Sequence, residues 1–320
     1  MTVQGVYSVE IDEVRSLARN IINNVLKVFI GWDKLVEIIV ASLLSEGHVL
    51  IKGPPGVGKT LLAKSIAKTF GGVFKRIQGN PDILPSDITG FNIYVLGEKP
   101  RFVRGPIFAN IVMVDELNRI TLRAQSALLE AMQEKTVTVD GVTYKLPQPF
   151  MIIATMIPGG LGVFGVTETL VDRFSTSCEL KYLGFEEELK MVSMEHVLDA
   201  ENVEKVASPQ QVVEAAETIR REVYVDERVK HYIVNLIENM RGHEKVSFGP
   251  SHRASINLYR IAKAYAVIKN RDYVIPDDVK TLFKHVVSHR VWLTSEAEAE
   301  GYTPERIAEE VLLKTPVPKS

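Results

Sequence analysis

The stretch HVLIKGPPGVGKTLLAKSIAKTF, residues 48–70, decides the fold. An apolar run enters a loop of glycine and proline, and that loop enters a segment with helical spacing. Its centre, Gly53 to Thr60, fits the pattern GxxxxGK[ST]. In this pattern glycines let successive backbone N–H groups wrap a phosphate chain, a lysine reaches its outer phosphates, and a hydroxyl holds magnesium. The candidate binding residues are therefore Gly53, Pro54, Pro55, Gly56, Val57, Gly58, Lys59, Thr60 and Leu61. Lys59 is assigned to the β/γ-phosphates and Thr60 to the metal. Strand, loop and helix in immediate succession make the match more specific than its fixed positions alone.

A second anchor lies about 55 residues downstream in IVMVDELNR, residues 111–119. A fully apolar strand ends there in two consecutive acids. Asp115, at the carboxyl end, is placed to hold the magnesium shell, and Glu116 to polarise a water for attack on the γ-phosphate. Taken alone, Asp-Glu reads better as an acid-rich helix N-terminus. Paired with the phosphate loop it indicates an NTPase that activates water, and not a kinase.

Working outward, HVLIKG, VFKRIQG, IVMVD, FMIIAT and STSCEL are candidate strands, with helices at roughly 59–70 and 121–134. Near-continuous apolar strands separated by helices predict a parallel sheet covered on both faces. EKTVTVDGVTYKL is a hairpin turning at Asp140-Gly141. After about residue 205 the pattern is helical only. Ser208-Pro209-Gln210-Gln211 combines an N-cap, a proline at the first helical position and a capping-box glutamine, opening a helix to about Val223. Asp226 caps the next, which Gly242 ends, and two further helices carry Leu258 and Leu282 on their apolar faces. The expected organisation is an N-terminal helical segment (1–27), an α/β nucleotide-binding domain (28–204) and a small all-α lid (205–320).

Composition narrows the function. The 320 residues are 46% hydrophobic and 24% charged, with a formal net charge of -2. That balance lacks the electrostatic footprint of a dedicated nucleic-acid binder. The single cysteine, Cys178, sits in an apolar-tending stretch and reads as a buried side chain in a reducing compartment. The N-terminal stretch carries acids where a leader needs apolar residues, and no apolar run reaches the length of a membrane span. A cytoplasmic location is expected. His285 and His289 are spaced i, i+4 but lack the glutamate of a zinc-binding helix.

The runs GHVLIKGPPGVGKT, DITG, GPIFANIVMVDELNR, QSALLEAMQE, DRF and SHRA together resemble the MoxR family of AAA+ ATPases from about residue 28 to 290. The resemblance implies an AAA+ P-loop NTPase core followed by a lid. It further implies a homo-oligomeric, hexameric ring binding ATP and Mg2+ at its subunit interfaces. Such a ring would remodel a protein client, often with a partner carrying a von Willebrand A domain. Arg173, in DRF, matches an arginine that reaches the γ-phosphate held by the neighbouring subunit. Arg253, in GPSHRAS, matches the sensor-2 position, from which a lid clamps nucleotide in cis; His252 stands where the family has proline. Gly31-Trp32 replaces Gly-Gln near the adenine. Asn118 and Arg119 fall in the DEINR-like run, where a place at the start of a helix is an equally good reading.

One departure stands out. Where the family has Ala-Thr-Gln-Asn-Pro at the end of the strand beside the loop strand, this chain has Ala154-Thr155-Met156-Ile157-Pro158. Isoleucine cannot position an attacking water. Thr155 either supplies a hydroxyl to the site or satisfies a backbone carbonyl at the strand end. Two main readings follow: an ATP-driven remodelling enzyme, or an ATP-binding assembly module that hydrolyses weakly. A nucleic-acid motor is disfavoured by charge. Phe91, Tyr94 and Phe102 either line a ring pore or fill core.

Overall fold

Buried β-branched runs dictate the centre of the molecule. The structure, a computed structural model, describes residues 9–156 and 164–318. It opens with helices α1 (Ile11–Leu26) and α2 (Asp33–Leu44), then strand β1 (Val49–Lys52) and α3 (Lys59–Thr69). Next come β2 (Phe74–Gln78), a short α4 (Pro85–Thr89), and the hairpin β3 (Gly90–Ile93) and β4 (Arg101–Arg104). β5 (Ile111–Asp115) leads into α5 (Leu122–Glu134), a second hairpin β6 (Thr136–Val139) and β7 (Val142–Lys145), and β8 (Met151–Met156). α6 (Glu168–Val171), β9 (Thr176–Glu179) and α7 (Phe185–Ser193) complete this half.

The second half is mainly helical: α8 (Pro209–Glu222), α9 (Glu227–Arg241), α10 (His252–Ile268) and α11 (Pro276–Val287) follow the signals read from sequence. Between them and after them come the short strands β10 (Val246–Phe248) and β11 (Trp292–Leu293), then α12 (Ser295–Ala299) and α13 (Pro304–Lys314). Ser208 and Gln211 make the reciprocal capping box at α8, and Asp226 caps α9.

The five strands expected from sequence form one sheet in the order β2-β5-β8-β1-β9. Every pairing is parallel. Because side chains alternate across a strand, the sheet divides its residues between two apolar layers. Val49, Ile51, Ile111, Met113, Met151 and Ile153 face a core that also holds α1, α2, α3 and the helices of the second half. Leu50, Val112, Val114, Ile152 and Ala154 face a second core with Leu128 of α5 and Leu170 of α6. The helical half thus shares its core with one face of the sheet, joined through Leu258, Ile261 and Val36.

The turn at Asp140-Gly141 has both residues at positive φ, 49° and 79°, as a two-residue hairpin turn needs. Asn92 Nδ2 and Tyr94 OH donate to Asp140 Oδ2 at 2.7 and 3.1 Å, docking the two hairpins together. Phe102 stacks on Tyr144 with centroids 4.3 Å apart, so it is a packing residue. Tyr94 remains 68% exposed and Phe91 is also exposed, so neither is core. Cys178 is buried, and burial pushes its thiol up to about 12.

His48 holds the sheet to α5. Its Nε2–H donates to Met132 O at 3.0 Å and its Nδ1 accepts from Ile152 N at 3.0 Å. Burial lowers its pKa to about 4, against the raising effect of the Met132 bond. A folded pKa below the unfolded value of about 6.5 means the unfolded chain binds more protons in between. Stability is therefore full above about 6.5 and falls as pH drops toward about 4. The loss reaches on the order of 3 kcal/mol for this one group. Urea unfolding at a series of pH values should show the decline, and His48→Gln should be less stable near neutrality but flatter with pH; an equal slope in both proteins rules the assignment out.

Candidate functional site

The carboxyl ends of β1, β5 and β8 meet at one edge of the sheet. Gly53 follows β1 at φ 157°, and a Cβ there would lie 2.5 Å from Leu180 O, so only glycine lets the loop pass. Gly56 and Gly58 adopt left-handed φ values of 85° and 84°. Gly58 is the N-cap of α3 and supplies no side-chain acceptor to that helix end. Lys59 Nζ crosses the loop and donates to Gly53 O and Pro54 O at 2.7 and 2.8 Å. It is 9% exposed. Burial lowers its pKa, while the nearby Asp115 and Glu116 carboxylates raise it.

β5 delivers Asp115 beside β8, where Thr155 is fully buried. Thr155 Oγ1 donates to Asp115 Oδ1 at 2.5 Å and accepts from Glu116 N at 2.9 Å. Two roles were anticipated for Thr155, a hydroxyl supplied to the site or a bond to a backbone carbonyl; the hydroxyl here bonds the Asp115 carboxylate and the Glu116 N–H, and no carbonyl among the described residues. Arg76, on β2, donates to Asp115 Oδ2 at 2.5 Å, a contact that sequence reasoning did not anticipate. Glu116 sits at φ 57°, ψ 52°, a left-handed conformation uncommon outside glycine and asparagine. Gly79 permits that turn, since a Cβ on it would stand 2.2 Å from Glu116 O. Glu116 also pairs with Arg119 at 3.2 Å, and Asn118 is buried beneath the same turn. Ile157 lies outside the described residues.

Two cavities meet along the loop. One, of about 460 Å3, is polar: residues 55–61 face Arg76, Gln78, Asp115 and Glu116. The other, of about 380 Å3, is apolar, with Phe29, Ile30, Trp32, Leu183 and Met191 in its wall. Pro55, Gly56, Val57, Gly58 and Leu61 line both. The pair suits a ligand with an anionic chain and a planar apolar end. Among the described residues no cluster of three or more His, Cys, Asp or Glu could hold a metal alone. The polar cavity does offer the Thr60 hydroxyl and the Asp115 carboxylate, a pair suited to magnesium, which takes one or two protein oxygens and completes its shell with phosphates and water. Thr60 and Asp115 are the residues that would hold it.

Arg173 and Arg253 come together away from the loop. Asp172 accepts from Ser251 Oγ at 2.7 Å, from Arg253 Nη1 at 3.0 Å, and pairs with Arg290 Nε at 3.2 Å. Arg290 is 1% exposed and donates to Val286 O and Phe174 O at 2.7 and 2.6 Å. Arg173 donates to Thr169 O and Gln133 Oε1, and Arg253 reaches the same Gln133 oxygen at 3.4 Å. Burial and the Arg253 charge lower the Arg173 pKa. Arg253 lines neither loop cavity. Its guanidinium stands beside Arg173 instead, the two sharing the Gln133 oxygen. Ser251 caps α10, so His252 begins the helix without displacing it. His285 and His289 donate to Ser177 O and Phe174 O and tie the second half to β9 and to the segment just before it. Arg290 carried no sequence signal, and Gln133 none beyond its place in QSALLEAMQE, because their partners are distant in the chain.

Replacing Thr155 by isosteric valine leaves the part-buried Glu116 N–H without its acceptor and Asp115 Oδ1 without its donor. The expected destabilisation is about 1–3 kcal/mol by denaturant unfolding. Thr155→Ser should recover most of it, and a valine variant as stable as the parent contradicts the bridging role.

The geometry can now be set beside known proteins. The model of the ATPase family associated with various cellular activities (AAA) matches residues 48–176, and that of the AAA lid domain matches 238–311. The chain is 39% identical to an uncharacterised Bacillus subtilis protein, YeaC, over 97% of this chain and 98% of that one. It is 36% identical to chaperone MoxR1 of Mycobacterium tuberculosis, over 96% and 84% respectively. A solved structure of a proposed ATPase from Cytophaga hutchinsonii, 37% identical, superimposes with a TM-score of 0.89 over 97% of both chains. By these similarities and by its fold, the chain belongs to the MoxR family of AAA+ ATPases.

Proposed function

We propose that this chain binds ATP with Mg2+ along residues 53–61 and hydrolyses it within a ring, using the cycle to remodel a protein client. The observation that carries the reading is the polar cavity in which the phosphate loop faces Asp115 and Glu116. Lys59 and the loop N–H groups would hold the β/γ-phosphates, and the apolar cavity beyond Trp32 would take the base. When bound, Mg2+ would neutralise phosphate charge from Thr60 and Asp115. Glu116 polarises the attacking water, and Thr155 positions both acids. Arg173 and Arg253 form one cationic edge suited to the γ-phosphate of an adjacent subunit. The likeness to a chaperone supports a protein client, and family membership supports a hexameric ring and a von Willebrand A domain partner.

A second reading, ATP-gated assembly with weak turnover, has its own support. The Thr155 hydroxyl has one proton and gives it to Asp115, so it does not replace the amide missing at Ile157. Phosphate release at saturating ATP separates the two readings.

Calorimetry should show ATP affinity lost in Lys59→Ala but kept in Glu116→Gln, with turnover lost in both. ATP binding by Lys59→Ala at the parental affinity would falsify the site. Dependence on neighbours is tested by mixing. Arg173→Ala and Glu116→Gln chains should each be inactive yet regain turnover together, since some interfaces then pair an intact Glu116 with an intact Arg173. Loss of an arginine acting in trans is expected to lower the rate by roughly three to five orders of magnitude. A dilute monomer turning over at the full rate rules the arrangement out.

A further inference from the structure

We propose that a second cleft, distinct from the phosphate loop, binds a small phosphate-bearing molecule with hydroxyl or amino groups at its other end. The cleft has a volume of about 640 Å3 and lies between β9, the end of α11 with the turn that follows it, and the start of α13. That volume is within the range of small-molecule sites. Three lysines line it: Lys52, Lys181 and Lys284. Lys181 is 3.6 Å from Glu179. The side chains of Lys52 and Lys284 make no hydrogen bond or ion pair among the described residues, so their charges are available to an incoming anion.

The remaining wall is suited to the other end of the ligand. His285 commits Nδ1–H to Ser177 O, which leaves Nε2 as an acceptor. Glu305 is the acid in the lining without the salt-bridge partner that Glu179 has, and it can accept from a hydroxyl or amine.

The cleft is also joined to the loop site. Trp32 and Lys181 line both this cleft and the apolar cavity beside the loop, and Lys52 immediately precedes Gly53. An occupant would thus touch the wall of the nucleotide cavity from behind and report on it. The proposal does not depend on ATP binding at the loop.

Inorganic pyrophosphate is the probe, added without Mg2+ to a Lys59→Ala, Trp292→Phe chain so that Trp32 is the only tryptophan and the loop lysine is absent. Saturable change in Trp32 emission is expected, with matching calorimetry. Lys52→Ala and Lys284→Ala should each weaken binding about tenfold, as one charge-assisted contact predicts. AMP should bind more tightly than pyrophosphate by using the acceptors at the far wall. Absence of saturation in the Lys59→Ala chain overturns the proposal, as does binding indifferent to Lys52 and Lys284. If pyrophosphate fails to bind while Lys52→Ala or Lys284→Ala reduces self-association in sedimentation, the cleft is a contact between copies of the chain and the proposal falls. None of these outcomes alters the Lys59 and Glu116 test of the loop.

Discussion

A parallel strand buried on both faces can place a charge only where it emerges from the core. β5 and β8 are apolar until Asp115 and Thr155, and β1 until Lys52. Their parallel register brings those ends level, with Ile51 opposite Thr155 and Gln78 opposite Asp115. The loop, the acid pair and the threonine bridge all follow from that alignment. A register shift of one residue would turn Asp115 to the other face of the sheet and bury a charge. The apolar layers that fix the register are accordingly also what aims the chemistry.

The halves of the molecule are fastened at Asp172. Arg290 is wholly buried, and its pKa is lowered to about 10 by burial, offset by the Asp172 charge and deepened by Arg253. Losing one member of a buried pair of this kind costs about 3–5 kcal/mol, because the other is left uncompensated. The same carboxylate holds Ser251 and Arg253 at the head of α10. Arg173 is the next residue in the chain. The position of the arginine edge is therefore set by the lid as much as by the sheet.

What could be read from sequence was what is local. The loop, the acids, five strands, the Ser208 cap and the Asp140-Gly141 turn each carry their cause within a few residues. Arg76 could not be read, because an arginine in an edge strand is ordinary and its meaning comes from Asp115 across the ladder. Arg253 was read on the right element, but its neighbours depend on how α10 packs against α2 and on where Asp172 stands. Arg290 gave no sign, since a basic residue at a helix end normally suggests a solvated cap. The cleft beside β9 assembles lysines from three separate segments and has no linear signature.

The docking of the two hairpins has a mechanical side. Asn92 and Tyr94 grip the Asp140 turn while Phe102 lies flat on Tyr144, so the ribbons are cross-linked near the tip and along their length. Two thin ribbons bend easily when separate, but laminated in this way they resist bending as a single beam. A load on the exposed tip at Leu96 is then carried into the root of the beam, where Phe108 meets both rings. From there it passes into the α4–α5 layer, the side of the sheet opposite α10. The prong and the helical half therefore bear on the sheet from opposite faces.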